Sequence, residues 1–301
     1  MEPQILDGGL ATELEARGIQ LNTDLWSAHL LMDQPEIIAA VHRDYLEAGA
    51  DLVTAASYQA TIEGFIKTGL TKVDAENLIQ KSVQIAKEAC ERFEASLENQ
   101  TSQRRLMVAA SVGPYGAYLA NGAEFTGEYD LDEAGLYDFH QARWHLLADT
   151  QPDIMLCETV PSFIEATALG RLASESSIPV WISFSCRDGR HINDGTPIRD
   201  CAALIEQNPQ VAAIGINCTA PKYISDLVRE IRSVTEKPIA VYPNSGETFD
   251  PAIRGWRGDA DIQGFAEQAL DWRRLGADII GGCCRTTPEH IRALRTSLNQ
   301  T

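Results

Sequence analysis

Three of the seven cysteines in the chain stand where their thiols could act together. Cys283 and Cys284 are adjacent in the segment GADIIGGCCRTTPEH, residues 276–290, and Cys218 follows the apolar run AAIGIN. Three thiolates that converge on one point leave the fourth position of a tetrahedral metal open, as in catalytic zinc sites. Sulfur ligands favour zinc over magnesium or calcium. Free cysteines are also common in apolar cores, and residue type and spacing leave both interpretations open.

Polar side chains stand at the ends of the other apolar runs as well. Glu158 follows the run IMLC, and Asp7 follows the first apolar run of the chain. The residues at these ends are Asp7, Ser57, Tyr58, Gly113, Glu158, Ser185, Asn217, Cys218, Asn244 and the Cys283–Cys284 pair. Because each preceding run is apolar, the change of character at its end indicates a shared functional edge.

Eight short apolar runs alternate with amphipathic helical patterns, and they are predicted to position these residues. The runs are nearly continuous in hydrophobicity, which is typical of parallel strands covered by helices on both faces. This alternation, without a linker-like change of composition, predicts an α/β fold: a single (β/α)8 TIM barrel domain over residues 1–301. An open doubly wound sheet is the alternative that strand counting leaves open. The predicted strands are 4–8, 51–57, 106–113, 154–159, 179–185, 212–218, 238–244 and 278–283.

A barrel would explain how the three cysteines converge at the C-terminal ends of the strands. Inward side chains of such a barrel form layers contributed by alternate strands, and Cys218 and Cys283 end the sixth and eighth strands. Neighbouring residues on a strand point to opposite faces, so Cys284 joins them only where the chain leaves strand geometry. Gly281 and Gly282 are expected to supply that change, because glycine reaches backbone conformations closed to other residues.

The charge balance argues against nucleic acid and membrane surfaces as partners. Of the 301 residues, 25 are Lys or Arg and 43 are Asp or Glu, so the net charge is −18. Such a surface repels phosphate groups and attracts small cations. The odd number of cysteines and the lack of a secretory segment or long apolar run predict a soluble protein of a reducing compartment, the cytoplasm. The expected partners are small molecules, and no sequence feature indicates an oligomer.

Several catalytic motifs are absent from the sequence. None of the six histidines belongs to an HxxxH or HExxH pair, which argues against histidine-ligated zinc. There is no GxxxxGK[ST] loop, and no lysine stands at the strand ends, where a Schiff-base aldolase would need one. A metal site at the cysteines and a barrel enzyme of another kind with core cysteines remain as alternatives.

A set of segments spread over nearly the whole chain carries a family resemblance. They are LDGGLATELEARG, LWSAHLL, HRDYLEAGADLVTAASYQAT, SVGPYGAYLANGAEFTGEY, CET, DGTP, GINC, VYPNSGE and GGCCRTTPEHI. The set resembles homocysteine S-methyltransferases, most closely the bacterial type that uses S-methylmethionine or S-adenosylmethionine. The resemblance implies zinc-dependent methylation of the L-homocysteine thiol to give methionine, with Cys218, Cys283 and Cys284 as zinc ligands. Methylation of selenocysteine or another thiol, or a non-catalytic module that binds homocysteine or zinc, is the alternative.

The resemblance also assigns residues to the homocysteine amino acid group. Asp7 and Glu158 match family positions that bind its amino group. From the residues alone, Asp7 could instead cap the helix that begins near Leu10, and Glu158 could be a surface carboxylate. The backbone N–H groups of Gly8 and Gly9, which open that helix, are expected to hold the carboxylate.

Aromatic and acidic side chains are the candidates for binding the methyl donor. A cationic sulfonium suits an aromatic face, and Trp26 lies where the related betaine enzymes place a methyl-donor tryptophan. Tyr58 matches a family position that can occupy the open zinc site before substrate arrives. Ordinary packing is the alternative for both. Glu124, Glu128 and Asp130, in the loop after the third strand, could attract the donor's charge or simply be solvated.

Two further groups of residues differ in the roles expected of them. Asn217, Asn244 and Ser245 are expected to orient polar atoms of the substrate, with structural hydrogen bonds in loops as the alternative. We expect the remaining cysteines to be ordinary core residues: Cys90, Cys157, Cys186 and Cys201.

Overall fold

The computed structural model describes residues 3–21, 25–96, 104–250, 255–258 and 260–299, without the side chains of residues 26, 248–250 and 255–257. Within these residues the strands are β1 (Gln4–Ile5), β2 (Leu52–Thr54), β3 (Met107–Val112), β4 (Ile154–Val160), β5 (Val180–Phe184), β6 (Val211–Asn217), β7 (Ile239–Tyr242), β8 (Thr248–Asp250), β9 (Gly255–Arg257) and β10 (Ala277–Ile280). The α-helices are α1 (Leu10–Ala16), α2 (Leu30–Asp33), α3 (Pro35–Ala48), α4 (Ile62–Lys67), α5 (Lys72–Ser96), α6 (Tyr115–Leu119), α7 (Glu133–Asp149), α8 (Phe163–Ser174), α9 (Ile198–Glu206), α10 (Pro221–Arg232), α11 (Ile262–Leu275) and α12 (Pro288–Leu298). Short 3-10 helices cover Trp26–His29 and Ala123–Phe125.

Eight of the strands form a closed parallel barrel. Their order is β1–β10–β7–β6–β5–β4–β3–β2, and neighbouring strands in this order are parallel. The two ends of this order also meet, because the Asp7 N–H donates to the Leu52 carbonyl at 3.0 Å. The Asp51 N–H donates to the Ile5 carbonyl at 2.8 Å. The predicted (β/α)8 barrel is therefore confirmed, and the open doubly wound sheet is wrong. β8 and β9 form a separate antiparallel pair.

Alternate residues of the strands pack into two different cores. Within β4, Leu156 belongs to the cluster that fills the barrel, whereas Met155 and Cys157 belong to the layer between strands and helices. This division follows from the two-residue period of a strand, and it explains why the strands are apolar on both faces. Large side chains such as Trp181 and Tyr242 help to fill the barrel. A ligand must therefore bind at the rim rather than inside it.

Helix α3 shows how local sequence sets the bounds of the outer layer. Pro35 occupies the first turn, where its missing N–H costs nothing, and Gly49 ends the helix with a φ of 115°. The apolar face of each helix packs on the strands. In α10 that face is formed by Ile224, Leu227, Val228 and Ile231. Across the described part of the chain, none of the helices has the length and apolar character needed to cross a bilayer.

The chain leaves strand geometry earlier than predicted at the two strands that carry the cysteines. β10 ends at Ile280, and Cys283 begins a turn in which the Thr286 N–H donates to its carbonyl at 3.2 Å. β6 ends one residue before Cys218, which has a φ of 46°. The strict alternation of strand side chains therefore does not apply to Cys218, Cys283 or Cys284.

The role expected of Gly281 and Gly282 is wrong. Neither has a positive φ, so neither supplies the change of direction. A Cβ at Gly281 would lie 2.6 Å from the Leu6 Cβ. One at Gly282 would lie 2.3 Å from the Thr286 Oγ1. Gly281 therefore allows close packing against the chain at the end of β1, Gly282 allows Thr286 to fold back onto it, and the turn that follows, with Arg285 at a φ of 66°, redirects the chain.

Candidate active site

The C-terminal ends of the barrel strands surround a cavity of about 1400 Å³. Its wall is formed at or just after the ends of β1, β2, β4, β6, β7 and β10, because parallel strands share this edge. The predicted site residues that line it are Asp7, Gly8, Gly9, Tyr58, Glu158, Cys218, Asn244, Ser245, Cys283 and Cys284. Most of the polar edge predicted from the sequence is thus the wall of one cavity, whereas Ser57, Gly113, Ser185 and Asn217 of that edge do not line it.

The three predicted metal ligands meet on this wall. The sulfur atoms of Cys218, Cys283 and Cys284 all lie within 4.8 Å of one another, and those of Cys218 and Cys284 are 3.7 Å apart. Among the described residues, this is the one group of three or more ligand side chains at such distances. Hydrogen bonds from Cys218 and then Cys283 hold the pKa of the Cys284 thiol well below its usual value. Three half-buried sulfur donors beside a cavity fit a single ion that prefers sulfur.

Backbone contacts fix the adjacent cysteines between two strand ends. The Cys283 N–H donates to the Pro243 carbonyl at 2.8 Å. The Ser245 N–H donates to the Cys284 carbonyl at 3.0 Å. On the other side, Gly9 approaches so closely that a Cβ there would lie 2.6 Å from the Cys283 carbonyl oxygen. The cysteine segment is therefore held between the ends of β7 and β1.

The other four cysteines have a different environment. They are buried free thiols within the apolar layers of the barrel. Burial raises the pKa of Cys90 to about 12 and also raises the pKa of the others, so these thiols stay protonated. They are Cys90, Cys157, Cys186 and Cys201.

Asp7 is buried and bonded to the neighbouring strand rather than to a helix. Its Oδ2 accepts a hydrogen bond from the Thr54 N–H at 2.7 Å, and its Oδ1 accepts one from the Thr54 hydroxyl at 3.0 Å. Helix α1 has Gly9 at its N-cap and no capping side chain, so the alternative role of Asp7 as a cap is wrong. Burial outweighs the Thr54 hydrogen bonds and raises the pKa of Asp7 to about 7.

Glu158 is only 9% exposed, so the surface-carboxylate alternative is wrong. Its Oε1 accepts a hydrogen bond from the Ser111 hydroxyl. Burial, and then the charge of Cys283, raises the pKa of Glu158 to about 8. No Lys, Arg or His of the described chain forms an ion pair with Glu158 or Asp7. Two buried acids without a basic partner, on one cavity, form a binding site for a cationic group.

The Gly9 N–H already has an acceptor within the protein. It points at the Thr286 carbonyl oxygen and Oγ1, each at 3.2 Å. Contrary to the prediction, this amide is therefore not available for a substrate carboxylate. Gly8 also lines the cavity, and a Cβ there would lie 2.8 Å from the Tyr45 ring. The missing side chains of both glycines are thus required by packing.

The two aromatic candidates differ in what the structure describes. Tyr58 lines the cavity, and burial, followed by the charge of Cys218, raises the pKa of its phenol well above the usual value. Its carbonyl oxygen accepts a hydrogen bond from the Arg143 guanidinium at 3.4 Å. The Trp26 backbone lies in a 3-10 helix, but its side chain lies outside the described residues. The next residue, Ser27, lines the cavity.

The three polar residues predicted to orient the substrate have different environments. Asn217 accepts a hydrogen bond from the Thr159 N–H and donates to the Thr159 hydroxyl, both at 2.8 Å, and it lies behind the described cavity wall. Asn217 therefore makes structural hydrogen bonds, which is the alternative to the predicted contact with the substrate. Asn244 lines the cavity, and none of the described residues bonds its buried Oδ1. Ser245 lines the cavity and donates to Glu247 Oε2 at 2.9 Å.

The two residues that orient the acids are not among those predicted from the sequence. Thr54 bonds Asp7, and Ser111 bonds Glu158. Both lie within strands whose other residues are apolar. A buried polar side chain in such a strand needs a hydrogen-bond partner, and this requirement could have identified both residues from the sequence.

Comparisons with known proteins agree on one family. The family model described as homocysteine S-methyltransferase matches residues 4–298. Homocysteine S-methyltransferase YbgG from Bacillus subtilis is 48% identical over 291 residues, which cover 96% of this chain and 92% of that protein. Selenocysteine Se-methyltransferase from Brassica oleracea is 45% identical over 305 residues, covering 98% and 88%. The metallated form of the homocysteine methyltransferase MmuM from Escherichia coli matches with a TM-score of 0.87 at 43% identity, covering 98% of this chain and 96% of that one.

Proposed function

Because the chain belongs to the homocysteine S-methyltransferase family, we propose that this enzyme transfers a methyl group from a sulfonium donor to the thiol of L-homocysteine, giving methionine. The observation that carries the proposal is the meeting of three thiols and two buried, unpaired acids on one cavity. The thiols suit a metal that binds the acceptor sulfur, and the acids suit an ammonium group. Homocysteine carries both groups in one small molecule.

We assign zinc to the cluster of Cys218, Cys283 and Cys284. The donor set supports zinc, since all three ligand atoms are sulfur and magnesium and calcium prefer oxygen. When bound, zinc lowers the pKa of a thiol placed at its remaining position, which keeps the substrate sulfur as a thiolate at neutral pH.

Asp7 and Glu158 hold the ammonium group of homocysteine in this proposal. An ammonium beside them lowers the pKa of both acids, so both become ionised in the complex. Thr54 and Ser111 fix their carboxyl oxygens, so the acids need little rearrangement on binding. Gly8 is the remaining amide candidate for the substrate carboxylate, because it lines the same wall beside Asp7.

The methyl transfer balances without a dedicated base. The homocysteine thiol releases its proton to solvent when the thiolate forms, and the thiolate supplies the electron pair of the new carbon–sulfur bond. The bond between the methyl group and the donor sulfur breaks, and its electron pair stays on the donor. The donor leaves as a neutral thioether, which is methionine from S-methylmethionine or S-adenosylhomocysteine from S-adenosylmethionine. Tyr58 offers the cationic donor an aromatic face on the cavity wall.

Methylation of selenocysteine is the second candidate reaction. It is favoured by the 45% identity to the selenocysteine Se-methyltransferase from Brassica oleracea. The same three sulfur ligands and the same pair of acids would serve a selenol carried by an amino acid. The proposed setting for either reaction is the cytoplasm, where free thiols persist, with small molecules as partners.

A donor and acceptor panel tests the proposal. Zinc-loaded protein is mixed with deuterium-labelled homocysteine and either S-methylmethionine or S-adenosylmethionine, and labelled methionine is measured by mass spectrometry. The label distinguishes methionine made from the acceptor from methionine left by the donor. Selenocysteine replaces homocysteine in a parallel series. We expect labelled methionine from at least one donor, and its absence with both donors contradicts the proposal.

A further inference from the structure

The loop after β3 is packed tightly against the barrel and brings one acid to the cavity. A Cβ at Gly116 of α6 would lie 2.3 Å from the Glu124 nitrogen, so the loop rests directly on this helix. Gly127 is also close to the chain after β4, since a Cβ there would lie 3.0 Å from the Pro161 carbonyl oxygen. Ala123, between these contacts, is buried. The position of Glu124 is therefore set by packing on both sides.

One oxygen of the Glu124 carboxyl group lacks a hydrogen-bond partner among the described residues, whereas the backbone N–H groups of Glu124 and Gly122 bond to the carboxyl group and act to lower its pKa. Glu124 lines the cavity, and its buried Oε2 accepts no hydrogen bond from the described residues. Burial raises the pKa of this carboxyl group. An ionised group that is removed from water without a partner costs free energy, and a cationic ligand offsets that cost. The next residue, Phe125, also lines the cavity and is 50% exposed.

A series of hydrogen bonds connects this acid to the thiol cluster. The Ser185 hydroxyl lies 3.4 Å from the Glu124 carbonyl oxygen and 3.3 Å from that of Thr159. The Thr159 N–H donates to Asn217 Oδ1 at 2.8 Å, and Asn217 directly precedes Cys218. The cavity wall therefore holds the acid and the cysteines in one fixed frame.

Tyr58 lines the same cavity as Glu124 and the thiol cluster. An aromatic side chain, an acid and a thiol cluster on one cavity suit a sulfonium, because its positive charge and its methyl group sit on one sulfur.

We propose that Glu124 binds the positive charge of the methyl donor and thereby selects a sulfonium over the thioether that it becomes. The inference rests on the proposed function, since it assumes a sulfonium donor. The donor sulfur loses its charge in the reaction, so the attraction to Glu124 ends at transfer. Glu124 thus favours binding of the donor and release of the spent product from the same place.

The test compares Glu124→Gln with Glu128→Gln. Both changes remove one negative charge from the same loop, but Glu128 is exposed and stands apart from the described cavity wall. The KM for S-methylmethionine is measured at saturating homocysteine, and the KM for homocysteine at saturating donor. We expect Glu124→Gln to raise the donor KM about tenfold or more and to change the homocysteine KM less than about twofold. Glu128→Gln is expected to leave both values within about twofold.

Direct binding gives a second readout that does not depend on turnover. Calorimetric titration with S-methylmethionine and with methionine gives the ratio of the two affinities for each variant. We expect this ratio to fall about tenfold in Glu124→Gln and to stay unchanged in Glu128→Gln. If Glu124→Gln does not fold by circular dichroism, Glu124→Asp keeps the charge, withdraws it by one methylene, and is expected to give a smaller loss in the same direction.

The outcomes separate this inference from the proposed function. An unchanged donor KM and affinity ratio in an active Glu124→Gln enzyme overturns the role of Glu124 and leaves the methyltransferase function intact. An equal rise of donor KM in both variants also overturns it, because the effect would then be long-range attraction by the net charge. Absence of methylated product from the wild-type protein overturns the proposed function itself.

Discussion

Two groups of buried ionisable side chains in the barrel differ in the partners that the protein gives them. Behind the strands, Glu165 accepts hydrogen bonds from the Tyr115 N–H at 2.6 Å and from His140 Nε2 at 2.8 Å. Arg143 donates to His140 Nδ1 at 2.9 Å and to the Gly113 carbonyl at 2.6 Å. In this group hydrogen bonds link an acid, a histidine and a guanidinium away from solvent, although Glu165 Oε2 and Arg143 Nε have no hydrogen-bond partner among the described residues.

On the cavity side, Asp7 and Glu158 are also buried but have no cation. Their hydrogen bonds come from Thr54 and Ser111, which are neutral, and their pKa values rise to about 7 and about 8. The comparison teaches that burial alone does not mark a functional acid. A buried acid with a protein cation builds structure, whereas a buried acid facing a cavity without one is arranged for a ligand.

The largest expected effect comes from removing a ligand of the thiol cluster. In Cys218→Ser one of three soft donors is lost, so we expect loss of stoichiometric zinc and a fall of at least about a thousandfold in methyl transfer. Metal content is measured by mass spectrometry of the purified protein. Cys201→Ala, which changes a buried cysteine in α9, should keep its zinc. Stoichiometric zinc in Cys218→Ser contradicts the ligand assignment.

Arg143→Met tests the structural group, in which Arg143 is the cation. The change leaves Glu165 and His140 buried without their cation and frees the carbonyl oxygens of Gly113 and Tyr58. We expect the free energy of unfolding to fall by about 3–5 kcal/mol, measured by denaturant titration. Arg92→Met is the matched control, because the Arg92 side chain is 75% exposed, and its effect should stay within about 0.5 kcal/mol. An equal effect of both changes would remove the distinction between the two groups.

In the ligand-binding group, neutralising an acid is expected to lower substrate affinity rather than stability. In Asp7→Asn we expect the homocysteine KM to rise about ten- to a hundredfold, because one of two acids for the ammonium group is lost. The free energy of unfolding should stay unchanged or rise, since the amide buries no charge and the Thr54 hydroxyl can reverse its hydrogen bond. Kinetics and denaturant titration are run on the same samples, with the exposed Asp138→Asn as control. A large loss of stability with an unchanged KM would place Asp7 in the structural group.

Substrate affinity and stability should also respond to pH in opposite directions. Burial raises the pKa of Asp7 to about 7 and that of Glu158 to about 8, so both lose their protons between about pH 6 and pH 9 in the free protein, and an ammonium ligand requires their ionised forms. Affinity therefore rises with pH across this window. Methionine is the probe, because it carries the ammonium group and no thiol, and its inhibition constant should fall by about tenfold.

The sign for stability follows from the same shifts. Each acid has a higher pKa in the folded protein than in the unfolded chain, so the folded state binds more protons between about pH 4 and pH 8. The contribution of these acids to stability is therefore complete below about pH 4 and is lost as pH rises through their folded pKa values. Asp7→Asn should flatten both profiles, and a methionine inhibition constant independent of pH contradicts the assignment.

Much of the architecture could be predicted because it depends on local pattern. The apolar runs and the polar residues at their ends located the barrel and the wall that holds Asp7, Glu158 and the cysteines. The pattern of apolar and polar residues gives no distances between segments that are far apart in the sequence. Gly282 is small because Thr286 folds back onto it, and this contact exists only after the turn forms.

Asn217 shows the same limit within the site. Its position at a strand end predicted a ligand contact, but its amide is used by Thr159, whose φ of 60° is a left-handed conformation. A left-handed backbone at a non-glycine residue is a tertiary feature that has no signal in a single sequence. Thr54 and Ser111, in contrast, could have been found by asking which polar side chains in apolar strands lack a partner.

The contact between the first and last strands has a consequence for the order in which the site can arise during protein synthesis. The Gly9 N–H meets the Thr286 hydroxyl across 277 residues, and Cys218 meets Cys284 across 66. A chain still emerging from the ribosome has neither contact until residues 284–286 have left it. The thiol cluster is therefore completed only after the rest of the barrel has been made, and every earlier stage of the chain lacks a three-sulfur site.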